Sequence, residues 1–251
     1  MLEAVRSTNF DAVCMLRHGK LEESMYLLKT ALAAVQAAGT TIHNNANDNH
    51  NMPCDAYAEN DSTTTPTVVV SVPLVSKEDN QDDASMLGLN QLQSLSSCDM
   101  FCRGFLLEGP ASSSLANTDE NAALCAAVGL YNMALTMQLK GMLTATPLYW
   151  RKAANLYQKV FTILRASESV ETAASLFLAT ILNLIACECE LNGPHVKTPW
   201  KQVYTQVFQW ATTDSATAFE ALAADDEDSL QVFSTAAVML TSQSFCTAPA
   251  A

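Results

Sequence analysis

Side chains that could bind a metal ion occur together in one short, asparagine-rich stretch of the chain. His43, His50 and Cys54 lie in this stretch, with Asp48 and Asp55 beside them. A structural zinc site uses ligands at regular spacings such as Cys-x2-Cys, which are missing here. The composition is that of a solvated loop with no helical period. We therefore predict no metal ion and no other cofactor.

Cysteines form two further close pairs, Cys98 with Cys102 and Cys187 with Cys189. The chain starts Met-Leu-Glu-Ala and shows no secretory signal, so its eight cysteines are expected to be reduced thiols rather than disulfides. A free cysteine inside a helical pattern behaves as a small apolar residue. Both pairs are therefore interpreted as structural, with redox sensitivity as the alternative.

Catalytic motifs are missing from the sequence. It has no G-x-S-x-G, no glycine loop that could hold a phosphate and no His-Glu-x-x-His. The carboxylate pairs Glu188/Glu190 and Asp225/Asp226 are interpreted as a helix end and an acidic, solvated run. Without a nucleophile, a base and oxyanion donors in one set, we predict that the chain is not an enzyme. The alternative is a small helical hydrolase or transferase.

The net charge of −13 comes from two regions. Residues 40–118 carry 10 acidic against 2 basic side chains, and residues 215–251 carry 5 against none, whereas the rest of the chain is balanced. A nucleic-acid phosphate backbone would be repelled by such a chain, because binding it requires a basic patch. We therefore expect no nucleic-acid partner.

No segment is predicted to cross a membrane. The most apolar window, residues 173–187, is too short for a bilayer and contains Ser175, Thr180 and Asn183. We expect a cytoplasmic protein, with the nucleus as the alternative.

The helices that must position any binding surface are clearest at the start of the chain. Gly19 lies where one helix must stop and the next begin, because glycine adopts positive φ without steric cost. After it, apolar residues recur at spacings of three and four, at Leu21, Met25, Leu28, Leu32 and Val35. Two helices joined by so short a turn pack antiparallel. Residues 1–38 are thus predicted to form a helix hairpin.

The remaining chain divides by composition. Residues 39–117 form an asparagine-rich, acidic insertion, predicted to be partly disordered, with extended apolar segments at 67–75 and 100–107. Residues 118–245 show helical periodicity and hold further hairpins and a C-terminal capping helix. Residues 246–251 are a tail.

Within the second helical region, the helix boundaries follow local signals. Thr-Pro pairs at 146–147 and 198–199 mark helix starts, as does Ser167. The helix that follows Ser167 is apolar nearly all round and ends at Gly193, so we expect it to be the most buried. Residues 221–228 are predicted to form an acidic break before the last helix.

With three helix–glycine–helix units present, the chain resembles the tetratricopeptide (TPR) family. The family pattern of asparagine, small residue, glycine and an alanine-rich second helix is carried by matching positions in the three units. These are Asn9, Ala12, Gly19, Ser24, Leu28 and Ala31 in the first, Asn132, Ala134, Gly141, Ala153 and Tyr157 in the second, and Asn183 and Gly193 in the third.

The resemblance covers residues 1–38 and 119–245, and it departs from the family in spacing. TPR units repeat about every 34 residues, whereas Asn132 follows Asn9 by 123 positions and Asn183 follows Asn132 by 51. The asparagine-rich insertion, the extended apolar segment and the alanine-rich end also resemble a group of TPR-like proteins of diatom algae. The resemblance implies an all-α, TPR-like stack of antiparallel helix hairpins with a long, largely irregular acidic insertion after the first hairpin.

The resemblance also implies a function. The first helices of units one and two would line a concave face that binds another protein or a peptide without catalysis, through arginines for a carboxylate and a tyrosine and leucine for an apolar side chain. The residues implied are Arg6, Asn9, Val13, Arg17, Val128, Tyr131, Leu135 and Gln138. Two alternatives remain: these are merely exposed helix residues, or the chain is a structural subunit whose insertion occupies its own groove.

Overall fold

Helices dominate the part of the chain that the computed structural model describes, residues 2–47, 68–74, 101–108, 119–193, 196–225 and 227–245. The predicted all-α class is confirmed at this level, with the addition of one two-stranded sheet. The elements are α1 (Leu2–Arg17), α2 (Leu21–Asn47), β1 (Val68–Pro73), β2 (Arg103–Glu108), α3 (Asp119–Thr144), α4 (Pro147–Ala166), α5 (Ala174–Asn192), α6 (Trp200–Gln209), α7 (Ala216–Asp225) and α8 (Glu227–Phe245). A 3-10 turn at Glu168–Val170 and a π-helical turn at Trp210–Asp214 complete the described chain.

The first hairpin has the predicted glycine turn, since Gly19 adopts φ 71° between α1 and α2. The helix α2 continues to Asn47, however, past the boundary predicted at residue 38. Once a helix is nucleated, each added residue gains a hydrogen bond, and no proline interrupts residues 39–47. His43 therefore lies in a helix rather than in the predicted loop.

The second hairpin turns at a different residue from the one predicted. Gly141 lies inside α3, and Ala145 makes the turn to α4 with φ 48°. A Cβ on Gly141 would lie 3.0 Å from Cδ1 of Trp150, so this glycine gives the indole ring room to pack against α3. The prediction of a turn glycine at this position is wrong, because the glycine serves helix packing.

Helix boundaries in the rest of the chain are partly as predicted. The helix α4 begins at Pro147, and α6 begins directly after Pro199. Ser167 caps the 3-10 turn, and α5 begins only at Ala174. The predicted acidic break at 221–228 is also wrong in part, because α7 and α8 extend into it from either side.

The helix α5 is the most buried element, as predicted. Every residue from Ala174 to Cys187 is buried, and Gly193 ends the helix with φ 92°. By length and composition, α3 and α5 could each cross a membrane, but 78% and 83% of their most apolar windows are buried inside the structure. That burial is expected of core helices, whereas the absence of a membrane and the cytoplasmic location stay predictions.

The two predicted extended segments pair with each other. The strands β1 and β2 are antiparallel, with Ser71 opposite Phe105. The sheet lies against helices α1, α3 and α5, because β2 contacts α1 and α3 while β1 contacts α5. In the three-unit arrangement predicted from the sequence, these three are the first helices of the units. The sheet would then contact the same helix of every unit.

Candidate functional site

The main chain of β2 is held by the side chain of Asn132 on α3. The Phe105 N–H donates to Asn132 Oδ1 at 2.9 Å, and Asn132 Nδ2 donates to the Phe105 carbonyl at 2.8 Å. Asn132 is fully buried. One carboxamide thus makes the two hydrogen bonds that a neighbouring strand would make to this residue.

Asn9 on α1 adds a third hydrogen bond at the same point. Its Nδ2 donates to the Phe105 carbonyl at 3.1 Å, and its Oδ1 accepts from Asn132 Nδ2 at 2.9 Å. The two asparagines are 123 positions apart in the chain and meet at one peptide group. We call Asn132, Asn9 and the Phe105 main chain the first clamp.

A second clamp lies four residues earlier on the same segment, at Phe101. The Phe101 N–H donates to Asn183 Oδ1 at 2.8 Å, and Asn183 Nδ2 donates back to the Phe101 carbonyl at 3.2 Å. The Tyr131 hydroxyl also donates to this carbonyl, at 3.4 Å. Asn183 on α5 therefore repeats the pairing that Asn132 makes from α3.

Tyrosine hydroxyls surround the second clamp. Asn183 Nδ2 lies 3.0 Å from the Tyr131 hydroxyl and 3.1 Å from the Tyr157 hydroxyl, and the latter donates to Gln138 Oε1 at 2.8 Å. Burial raises the pKa of both tyrosines well above the usual value, so the hydroxyls stay neutral hydrogen-bond donors. The arrangement is suited to binding uncharged peptide groups.

The side chains of the clamped segment fill aromatic pockets. The Phe101 ring stacks on Phe233 of α8 with centroids 4.8 Å apart, and the Phe105 ring meets the edge of Tyr131 at 4.9 Å. Both phenylalanines are at most 1% exposed. Between them, a Cβ on Gly104 would lie 3.0 Å from Cγ1 of Val13. The helices therefore contact the segment at both its main chain and its side chains.

The opposite edge of the sheet is also bonded to helices. Ser71 N–H on β1 donates to Asp225 Oδ1 at 2.7 Å, and its hydroxyl lies 3.3 Å from that of Ser229. Arg103 of β2 donates from Nε to Ser71 Oγ at 2.9 Å. The pair Ser71 and Phe105 is thus bonded to helices on both sides.

The residues expected on a concave face divide into two groups. Six of them are buried rather than exposed, while the two arginines are half-buried. The buried group is Val13, Val128, Tyr131, Leu135 and Gln138, and Asn9 is buried beside them. Their binding of a partner stays a prediction.

Arg6 lies beside an open cleft of about 420 Å³ between α1 and β2. Phe10, which is 52% exposed, and Leu106 also line this cleft, and Glu3 lies 3.7 Å from the Arg6 guanidinium. Arg17 lies at the end of α1 and does not line the cleft. The cleft is therefore a part of the expected surface that remains open next to β2.

The positions predicted to form the repeat framework are part of the helix packing. They are buried at Ala12, Ser24, Leu28, Ala31, Ala134, Ala153 and Tyr157. The asparagines at positions 9, 132 and 183 belong to the same pattern, in which Asn132 and Asn183 are predicted to be structural only. Their shared place in the three predicted units is the signal that groups them. The extended apolar segment predicted at 100–107 contains Phe101 and Phe105, but nothing in its sequence indicates that the asparagines bond it.

The structure describes three of the four paired cysteines but only part of the predicted metal-binding stretch. Burial raises the pKa of the Cys102 thiol to about 12 and that of Cys187 further, so neither is a thiolate at neutral pH. Cys98, like the side chains of the predicted His43 group, lies outside the described residues. Among the residues that the structure describes, no three histidine, cysteine or acidic side chains are grouped to hold a metal ion.

Comparison of the chain with protein-family models, with curated proteins and with solved structures finds no match.

Proposed function

We propose that the chain is a non-catalytic, TPR-like interaction module that binds an extended peptide, and that its own segment 101–108, which contains β2, occupies the binding groove. The observation that carries the proposal is the pair of clamps. Asn132 and Asn183 each bond both the N–H and the carbonyl of one residue in the segment. These contacts depend on the ligand's main chain, so a peptide from another protein could make them equally well.

The helical framework supports a TPR-like arrangement. Asn9, Asn132 and Asn183 hold matching positions in the three units of the sequence, and all three bond the same short segment. A stack of helix hairpins that presents matching residues along one face explains this convergence. A ligand that extends past the clamps would reach the open cleft beside β2, where it would meet the Arg6 guanidinium together with the carboxylates of Glu3 and Glu108.

Because the chain's own segment occupies the groove, a partner peptide must compete with it. A tethered segment competes at an effective concentration on the order of millimolar. A peptide at micromolar concentration therefore displaces β2 only if its own contacts are better or if β2 has been weakened. The module is thus self-inhibited until β2 is released.

A second function is favoured by the burial of the two phenylalanine rings of the segment 101–108. Phe101 and Phe105 are 1% and 0% exposed, as core residues are, and the segment could serve only to complete the fold of a structural subunit. The two proposals differ in whether the groove accepts any other peptide.

Selection of random linear peptides on the full chain carrying Phe105→Ala separates the two proposals. This change removes a ring from the internal segment and leaves both clamp asparagines in place. A matched selection uses the same chain with Asn132→Leu added, and a second uses it with Tyr26→Ala, a change at a side chain that is 71% exposed. We expect peptides to be enriched on the first and third chains but not on the second. No enrichment on any of these chains, all shown to be folded, would support the structural subunit instead.

A further inference from the structure

We infer that the groove selects peptides of the pattern Phe-x-x-Gly-Phe, and that Val13 is the residue that requires glycine before the second phenylalanine. This inference rests on the proposed function and names its ligand class. It follows from the spacing of the clamps, from the space beside Gly104 and from the two ring pockets.

The clamps fix the register of a ligand. Asn183 bonds both main-chain groups of Phe101, and Asn132 bonds both groups of Phe105. A peptide bound by both asparagines must therefore place its first and fifth residues at these points. Each residue between them then has a defined position in the groove.

The fourth position has too little space for a side chain unless Val13 moves. A Cβ on Gly104 would lie 3.0 Å from Cγ1 and 3.4 Å from Cγ2 of Val13, and 3.6 Å from Oδ1 of Asn132. Val13 is 2% exposed, and its branched side chain has one strongly preferred rotamer in a helix, so it cannot turn aside easily. Gly104 does not have positive φ, which makes its need for glycine steric rather than conformational.

The first and fifth positions each have an aromatic wall. Phe233 stacks on the ring at the first position, and Tyr131 meets the ring at the fifth. Phenylalanine fills these pockets with large apolar area and favourable ring geometry. By contrast, Arg103 at the third position bonds Ser71 of β1. The helices therefore specify the first, fourth and fifth residues.

The test uses a synthetic peptide with the sequence of residues 99–108, in which serine replaces the cysteine, and a second peptide with alanine in place of the glycine. Binding of both is measured by fluorescence polarisation to the full chain carrying Phe105→Ala, and to the same chain with Val13→Ala added. An added methyl group in a filled site is destabilising. We therefore expect the glycine peptide to bind the first chain at least about tenfold more tightly than the alanine peptide. On the Val13→Ala chain the ratio should fall below about threefold, because the clashing methyl groups are gone.

The control chain carries Phe105→Ala with Tyr26→Ala and should keep the tenfold preference. Equal binding of the two peptides to the Phe105→Ala chain would overturn the glycine requirement while leaving the proposed function in place. A preference that survives Val13→Ala would overturn the role of Val13. Failure of every peptide, including a random library, to bind the folded chain would instead overturn the proposed function.

If Phe105→Ala prevents folding, the contact between Gly104 and Val13 is tested within the natural chain instead. Gly104→Ala, Val13→Ala and their combination are compared by thermal unfolding. Gly104→Ala should lower Tm in the natural chain and lower it much less when Val13 is alanine. Additive effects would overturn the proposed contact between these two positions.

Discussion

The two clamps hold one segment by the same pairing but have different surroundings. At the first clamp, Asn132 is supported by a second carboxamide, that of Asn9, whereas Asn183 at the second clamp lies among tyrosine hydroxyls. In both, the carbonyl of the segment has a second donor. Within the described chain, the N–H of Phe105 and that of Phe101 each have one side-chain acceptor. Each of these two amides therefore depends on one asparagine Oδ1, and no other described side chain would accept its hydrogen bond.

The largest loss of stability is expected when the central asparagine of a clamp is removed. We expect Asn183→Ala to lower the free energy of unfolding by about 3 kcal/mol and Asn132→Ala by about 2 kcal/mol, because each leaves a buried N–H without an acceptor. The cost is greater at Asn183, whose amide also contacts two hydroxyls. Urea unfolding measures both. Asn155→Ala, at an exposed position on α4, is the control and should change stability little.

Equal and small losses for both substitutions would show that water replaces the lost contacts. The two clamps would then contribute to position rather than to stability.

The supporting groups should matter less than the asparagines. Asn9→Ala removes one of two donors to the Phe105 carbonyl, and Tyr131→Phe removes one of two donors to the Phe101 carbonyl. We expect a loss of about 1 kcal/mol for the first and about 0.5 kcal/mol for the second, whose hydrogen bond is longer. Thermal unfolding of the two variants checks the order. If Tyr131→Phe were the more damaging, the hydroxyl would be the centre of its clamp.

A double substitution tests the hydrogen bond between Tyr157 and Gln138 beside the second clamp. Tyr157→Phe leaves Gln138 Oε1 without its donor, and should cost about 1 kcal/mol. Adding Gln138→Met removes the buried amide, whose Nε2 already has no partner among the described residues, and should restore most of the loss. A double-mutant cycle gives the coupling. Strictly additive losses would contradict a direct bond between these side chains.

The smallest expected effect concerns a contact between α3 and the turn before α5. Glu120 on α3 accepts hydrogen bonds from Ser167 Oγ and from the Ser169 N–H, which tie α3 to the turn before α5. The Ser167 hydroxyl, followed by Ser169, holds the Glu120 pKa below its usual value. A lowered folded-state pKa means that the stabilisation is present above the unfolded pKa and is lost as pH falls through the folded one.

Glu120 is half-buried at the protein surface, where solvent screens its charge, so we expect Glu120→Gln to lose about 0.5 kcal/mol or less at neutral pH. The difference from the natural chain should vanish in acid. Unfolding measured across the acid range checks this, and a difference that grows as pH falls would contradict the assigned direction.

Local patterns in the sequence were sufficient to predict most helices and the extended character of both strands. The apolar spacing after Gly19 and the nearly continuous apolar run of α5 depend on neighbours three and four positions away, which the sequence displays directly. Gly141 shows the limit of such reasoning. A glycine that forms a turn and a glycine that makes room for Trp150 look alike until the packing partner is known.

The clamps could not be predicted from local pattern. Asn9, Asn132 and Asn183 meet at one segment only because three helices, widely separated in the chain, pack against the same sheet. The TPR resemblance grouped these asparagines as equivalent positions. It could not indicate that their ligand in this structure is residues 101–105 of the same chain.

Amide hydrogen exchange of Phe101 and Phe105, followed by NMR in the natural chain and in Asn132→Ala, tests most directly whether asparagine side chains hold the segment. We predict that both amides are strongly protected in the natural chain. In Asn132→Ala, Phe105 should lose protection while Phe101 keeps most of its own. Rapid exchange of both amides in the natural chain, or unchanged protection of Phe105 in the variant, would contradict the account.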